Sequence, residues 1–69
     1  MSDTQFIIRF HHRDSSVEEL IRSTAADAWS DFRLFIEPDS AEIYSRIELL
    51  EYNFYEAVMY PLADITFND

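Results

Sequence analysis

The chain has 69 residues, of which 14 are acidic against five arginines and no lysine, and its formal net charge at pH 7 is −9. A chain of this length forms one domain (residues 1–69), and the absence of cysteine excludes disulfides and thiolate zinc sites. The charge disfavours direct binding to nucleic acid or to an anionic membrane surface, because both would repel the protein.

The aromatic content predicts a folded domain. Six phenylalanines, four tyrosines and one tryptophan are present, and each such ring buries roughly 150–250 Å². A single core of this size contributes only about 3–5 kcal/mol of net stability. We therefore expect a monomer, or a homodimer whose interface adds buried area. The N-terminal segment MSDTQ lacks the features of a signal peptide, and no apolar run approaches the ~20 residues of a membrane span. We therefore expect a cytoplasmic protein.

The first predicted element is a strand over TQFIIRFHH, residues 4–12. Phe6, Ile8 and Phe10 alternate with more polar positions, which is the pattern of a strand packed on one face. The following RDSS segment ends the strand.

A single helix is predicted from residue 16 to residue 36. Ser15 or Ser16 can cap it, with an acidic residue three positions later completing a capping box. Apolar residues then recur at spacings of three and four as far as Ile36, where Glu37 and Pro38 end the helix. Residues 32–36 also alternate, so a short strand remains an alternative there.

A second helix is predicted after Asp39, which forms a further capping box with Glu42. Apolar residues continue at helical spacing from Ile43 to Val58. The alternative is a β-hairpin within residues 42–60, which the Tyr, Phe and Val content favours. Because glycine is absent from the chain and tight hairpin turns commonly need it, the helix is preferred.

The last predicted element is a short strand at residues 63–67 that pairs with the first strand. The predicted fold class is therefore α+β with the order β-α-α-β, a helical hairpin packed on a small two-stranded antiparallel ribbon.

One face of the second predicted helix is acidic and contains tyrosines. Its carboxylates extend over about 21 Å of helix axis at ~1.5 Å per residue. Acidic faces are commonly only solvated, and a tyrosine can complete a core with its hydroxyl outside. Aromatic residues among charges are nevertheless typical of contact surfaces. The predicted partner-binding residues, including neighbouring acids, are Glu37, Asp39, Glu42, Tyr44, Glu48, Glu51, Tyr52, Tyr55, Glu56 and Asp64.

No pattern of residues predicts catalysis. His11 and His12 are neighbours on a strand, so they point to opposite faces and cannot chelate one metal ion together. Glu18 and Glu19 fall in the first turn of the predicted helix, where the helix dipole favours them structurally. We therefore expect a protein that is not an enzyme, without a cofactor or a metal.

In its size, its charge, its lack of cysteine and the acid-rich segment DSAEIYSRIELLEYNFYE (residues 39–56), the chain resembles small acidic inhibitor proteins of phages and mobile elements. That class includes anti-CRISPR proteins and other DNA mimics, and it shares no residue motif. The resemblance implies an inhibitor in the host cytoplasm that blocks DNA or RNA access to a basic, nucleic-acid-binding host protein or complex. The alternatives are an immunity or antitoxin-type partner of a basic toxin, and a small phage assembly protein.

Overall fold

A computed structural model describes residues 3–67 as a four-stranded antiparallel sheet with one helix across one face. The strands lie in the order β2-β1-β3-β4, and the molecule measures 40 × 21 × 15 Å along its principal axes. In chain order the elements are β1 (Thr4–His12), β2 (Val17–Arg22), α1 (Ala25–Phe35), a 3₁₀ helix (Pro38–Glu42), β3 (Tyr44–Asn53) and β4 (Val58–Thr66).

The predicted β-α-α-β fold with a helical hairpin on a two-stranded ribbon is wrong. The first strand lies where it was predicted, but the segment Val17–Arg22 is a strand and not the start of a long helix. The segment predicted as the second helix contains β3 and the start of β4. A β-hairpin is therefore present, as in the alternative for residues 42–60, but it extends to Thr66. The β1 strand pairs with β2 and β3, and not with residues 63–67, most of which belong to β4 and pair with β3.

Two turns that need unusual backbone angles are built without glycine. Between β1 and β2, an Asp14 carboxylate oxygen accepts hydrogen bonds from the backbone N–H and the hydroxyl of Ser16, at 2.9 and 2.6 Å. Ser15 then takes the left-handed region with φ 76°. Between β3 and β4, the Asn53 side chain accepts a hydrogen bond from the Glu56 N–H at 3.0 Å, and Ala57 has φ 56°. Side-chain hydrogen bonds of Asp and Asn therefore form these turns, as in Asx turns elsewhere.

Helix α1 begins later and is shorter than predicted, because Thr24 caps it. The Thr24 hydroxyl accepts a hydrogen bond from the Asp27 N–H at 3.2 Å, and the helix ends before Ile36. Its inner face buries Ala28 and Phe32 against the sheet.

The core lies between α1 and the sheet. Ile8, Ile47 and Leu49 are completely buried there, on the two central strands β1 and β3. Phe10 extends this core toward the end of the helix, where its ring lies 4.8 Å from that of Phe35. The central strands therefore hold the molecule together.

The opposite face of the sheet, which we call the open face, carries no helix from the described residues 3–67. Ile7 and Leu50 are paired across β1 and β3 on this face and are buried by their neighbours. Beside Leu50 the pairing with β4 shifts register at Pro61, so that Leu62 is an extra residue on the edge strand. Proline lacks an N–H donor, and an edge strand with a bulge is where a sheet tolerates it.

Shortening a core side chain tests the position of the core. We expect Ile47→Val to lower the free energy of unfolding by about 1 kcal/mol, because it removes a buried methyl group from a completely buried site. The same change at Ile43, which is 54% exposed, is the matched control and should have little effect. Urea denaturation followed by circular dichroism measures both, and equal losses would contradict this placement of the core.

Replacing Ala57 by glycine tests the glycine-free turn. The left-handed conformation costs a residue with a Cβ about 1–2 kcal/mol, and glycine avoids this cost but loses more chain entropy on folding. We therefore expect Ala57→Gly to raise the free energy of unfolding by about 0.5–1 kcal/mol. Ala26→Gly, in the exposed first part of α1, should lower it by up to about 1 kcal/mol. A loss of stability in Ala57→Gly would contradict the turn geometry.

Candidate functional site

The ten predicted partner-binding residues do not share one face, because the helix that was expected to align them is absent from residues 3–67. They lie at the two ends of β3 and on the open face between those ends. Since β3 has 10 residues, its ends are separated by about 30 Å at ~3.3 Å per residue.

The acids on the open face contact basic side chains within the sheet. Arg46 contacts the carboxylates of Asp64 and Glu48 at 2.9 and 3.4 Å, and His11 contacts Glu48 at 2.6 Å. The hydrogen bond with Asp64, followed by the charge of Glu48, raises the pKa of the Arg46 guanidinium. Glu48 and Asp64, two of the predicted site residues, are therefore engaged within the chain and are poorly placed to attract a basic partner.

Tyr44 belongs to the edge of the core. Its ring lies 5.2 Å from that of Phe10 and 4.9 Å from that of His12, and the residue is only partly exposed. Tyr44 is therefore a tyrosine that completes the core.

Three predicted acids lie in the connection between α1 and β3. Glu37, Asp39 and Glu42 are exposed and make no ion pair within residues 3–67. Arg13 lies beside this segment and donates a hydrogen bond to the carbonyl of Ala41 at 2.7 Å. A cation is thus already present next to these acids.

The hairpin end, which we define as residues 51–60, combines aromatic rings with carboxylates and contains no basic residue. Tyr55 lies in the turn and is 88% exposed, and the neighbouring Phe54 is 52% exposed. The ring of Tyr52 contacts that of Phe54 edge to face, with centroids 4.9 Å apart. Neither Glu51 nor Glu56 makes an ion pair within the part of the chain that the structure describes.

Tyr60 holds one of these carboxylates in place. Its hydroxyl donates a hydrogen bond to Glu56 at 2.6 Å, and Glu51 is its cross-strand neighbour. The hydrogen bond to Glu56, followed by partial burial and the nearby negative charges, raises the pKa of Tyr60 above its ordinary value of 10.0. The Glu56 carboxylate is therefore oriented before any partner binds.

Four of the predicted site residues meet at this end, and two contributors were missed. Phe54 falls within the apolar series from Ile43 to Val58 that predicted the second helix, and Tyr60 was not assigned to any site. The β-hairpin alternative could have indicated both residues, because a hairpin places the strands on either side of its turn next to each other, as β3 and β4 are at Asn53 and Val58. The four residues brought together are Glu51, Tyr52, Tyr55 and Glu56.

The two histidines lie on opposite faces of β1, as expected for neighbours on a strand. His11 contacts Glu48 on the open face, and His12 lies on the helix side against Tyr44. The Nε2 atom of His12 is within ion-pair range of the Glu18 carboxylate but lacks an aligned hydrogen bond. Within residues 3–67, no three His, Asp or Glu side chains are grouped as a metal site would require.

Comparison with protein-family models, with curated proteins and with solved structures finds no match. Within residues 3–67, no helix combines the length and the apolar character that crossing a bilayer requires. Function therefore has to be argued from the site itself.

The Tyr60–Glu56 hydrogen bond gives a testable titration. Because the pKa of Tyr60 is raised, the hydrogen bond contributes stability below the ordinary tyrosine pKa and is lost as pH rises through the raised value. We expect Glu56→Gln to lower the pKa of Tyr60 toward its ordinary value. A ¹³C NMR titration of labelled tyrosine side chains measures this, with the exposed Tyr55 as internal control. An unchanged Tyr60 titration in Glu56→Gln would contradict the contact.

Proposed function

We propose that the protein is a non-enzymatic inhibitor that binds a basic, nucleic-acid-binding host protein or complex in the cytoplasm and blocks its access to DNA or RNA. The hairpin end makes the contact. The observation that carries this proposal is the 88% exposure of Tyr55 at a tip whose residues 51–60 include no basic side chain.

The aromatic residues of the hairpin end supply the contact area. Tyrosine and other aromatic side chains are enriched where binding energy concentrates in interfaces, because they bury much area at a low cost in conformational entropy. Tyr55 and Phe54 are exposed on a turn that the Asn53 side chain fixes. A surface kept only for solubility has no use for such groups, so this arrangement supports a role in binding.

The carboxylates of the hairpin end select the partner. Glu51 and Glu56 lie beside the aromatic residues, and Glu56 is already oriented by Tyr60. Carboxylates at these positions accept bidentate hydrogen bonds from arginine, as phosphate groups do. The overall charge of −9 adds long-range attraction to a basic surface and makes association faster at low salt.

The mimicry is local and does not extend along the molecule. Duplex DNA carries one phosphate per ~3.4 Å on each strand, and the ion-paired Glu48 and Asp64 interrupt any such series between the two ends of β3. In this proposal a few carboxylates occupy the partner's phosphate-binding arginines and lysines, while the aromatic tip excludes water around them.

A second candidate function is that of an immunity or antitoxin-type partner of a basic toxin. The concentration of aromatic side chains at one tip favours it, since a single cognate target is bound through a few strong contacts. Competition separates the two functions: duplex DNA should displace the protein from a nucleic-acid-binding host target at its DNA site. A toxin that binds the protein through a surface other than a DNA site should instead stay bound when duplex DNA is added.

Substitution at the tip tests the proposal. We expect Tyr55→Ala to weaken binding of the host protein recovered from lysate at low salt by about 30-fold, the loss of one interface hot spot. Leu34→Ala removes a side chain that is 67% exposed on α1 and is the matched control. Binding is measured by biolayer interferometry with the recovered protein, identified by mass spectrometry, with and without duplex DNA. Equal effects of the two substitutions would contradict the assignment of the hairpin end.

A further inference from the structure

A second feature that suits a basic partner lies at the other end of the sheet. A cavity of about 270 Å³ opens between β2, the end of β1 and the end of α1. Ligand pockets for drug-sized molecules usually measure about 300–1,000 Å³, so this cavity suits a single side chain better. Its lining residues are Phe10, Glu18, Glu19, Leu20, Phe35 and Tyr44.

Three aromatic rings form part of the wall. The ring of Phe10 meets that of Phe35 edge to face at 4.8 Å and that of Tyr44 at 5.2 Å with a tilt of 36°. Phe10 is 7% exposed, so its ring is held by the core. Aromatic rings attract ammonium and guanidinium groups through the negative potential of their faces.

One carboxylate supplies most of the negative potential at this cavity. The Glu18 carboxylate stands at its rim with 70% of the side chain exposed, and one of its oxygens contacts the Nε2 atom of His12. Helix α1 ends beside the cavity at Phe35, but it adds little negative potential, because the Ser40 hydroxyl donates a hydrogen bond to the Phe35 carbonyl and Arg33 lies in the same last turn. Glu19 contributes less, because Arg9 contacts its carboxylate at 2.8 Å.

We propose that this cavity is a subsite for one cationic side chain, an arginine or a lysine, of a partner protein. The aliphatic part of that side chain packs against Leu20 and the aromatic rings, and its charged group reaches the Glu18 carboxylate. Phe10, Leu20 and Phe35 make much of the wall apolar, and within residues 3–67 no three His, Asp or Glu side chains are grouped as metal ligands, so the chemistry suits an organic cation and not a metal ion. The inference depends on the proposed function only for the source of the cation.

The lining residues Phe10 and Leu20 are level with Ile47 and Leu49 in the sheet, whereas the hairpin end lies at the far end of β3. From Ile47 to Asn53 the strand measures about 20 Å at ~3.3 Å per residue. A partner that reaches both the cavity and the hairpin end would gain affinity from two linked contacts without any change in either. A surface with dispersed arginines and lysines, such as one that binds nucleic acid, offers basic groups that can reach both contacts at once.

The experiment is an NMR titration of the whole chain with small probes. N-acetyl-arginine methylamide and N-acetyl-lysine methylamide carry the charge, and N-acetyl-citrulline methylamide is the uncharged isostere of the first. We expect the amide signals of Phe10, Leu20 and Tyr44 to shift on addition of the charged probes and to saturate at millimolar probe concentrations. The citrulline probe should bind at least about fivefold more weakly. Equal binding of citrulline, or no saturable shift with any probe, would overturn the proposal.

Variants connect the shifts to named groups. Glu18→Gln should weaken arginine-probe binding about two- to fivefold, and Tyr44→Leu about two- to thirtyfold through loss of the ring. Because Tyr44 also packs on Phe10, its variant is used only if the amide spectrum remains that of the folded chain, and Glu18→Gln tests the proposal in either case. Asp27→Asn, a surface acid at the other end of α1, is the matched control and should change nothing.

The hairpin end is tested independently in the same series. Tyr55→Ala should leave binding of the arginine probe unchanged while it weakens binding of the host protein. If Glu18→Gln leaves the probe affinity unchanged, the cavity proposal fails while the proposed function stands. If Tyr55→Ala leaves host-protein binding unchanged, the reverse holds.

Discussion

The packing of α1 against the two central strands is the interaction on which the rest of the structure depends. Ile8, Ile47 and Leu49 are buried completely between the helix and the sheet, and no second layer formed by residues 3–67 covers the open face to replace them. Because a domain of this size buries only about 60% of its chain's surface, few other contacts contribute. The hairpin end extends beyond this core, and its position is fixed by its pairing with the buried part of β3.

Only part of this architecture could be predicted from the sequence. The β1 strand was found because its alternation is regular. In β3, however, Leu49 and Leu50 point to opposite faces and both are buried, so the apolar positions of this central strand do not alternate strictly and also fit a helix. The absence of glycine was misleading as well, since Asp14 and Asn53 form the turns through their side chains while Ser15 and Ala57 take the left-handed conformation. Local residue types could not show which of these arrangements the distant strand partners would select.

The candidate site was predicted in its composition but not in its arrangement. The predicted contact residues, chosen as acids and tyrosines, included Tyr55 and Glu56, both of which lie at the hairpin end. It also included Glu48, which His11 contacts from the neighbouring strand β1 and Arg46 contacts from the same strand. Cross-strand ion pairs join residues far apart in the chain, and their register follows only from the sheet. A charge count therefore overstated the negative surface available to a partner.

The break in pairing at Pro61 has a consequence for how the molecule behaves at high concentration. Outer strands with free backbone groups invite other chains to extend the sheet, and this can end in aggregation. On the β4 side, a residue without an N–H group and the extra Leu62 interrupt that template halfway along the strand. On the other side, the short β2 strand carries Glu18 and Glu19, whose repetition in a second copy would repel. Both edges of the sheet therefore disfavour edge-to-edge pairing between copies of the protein.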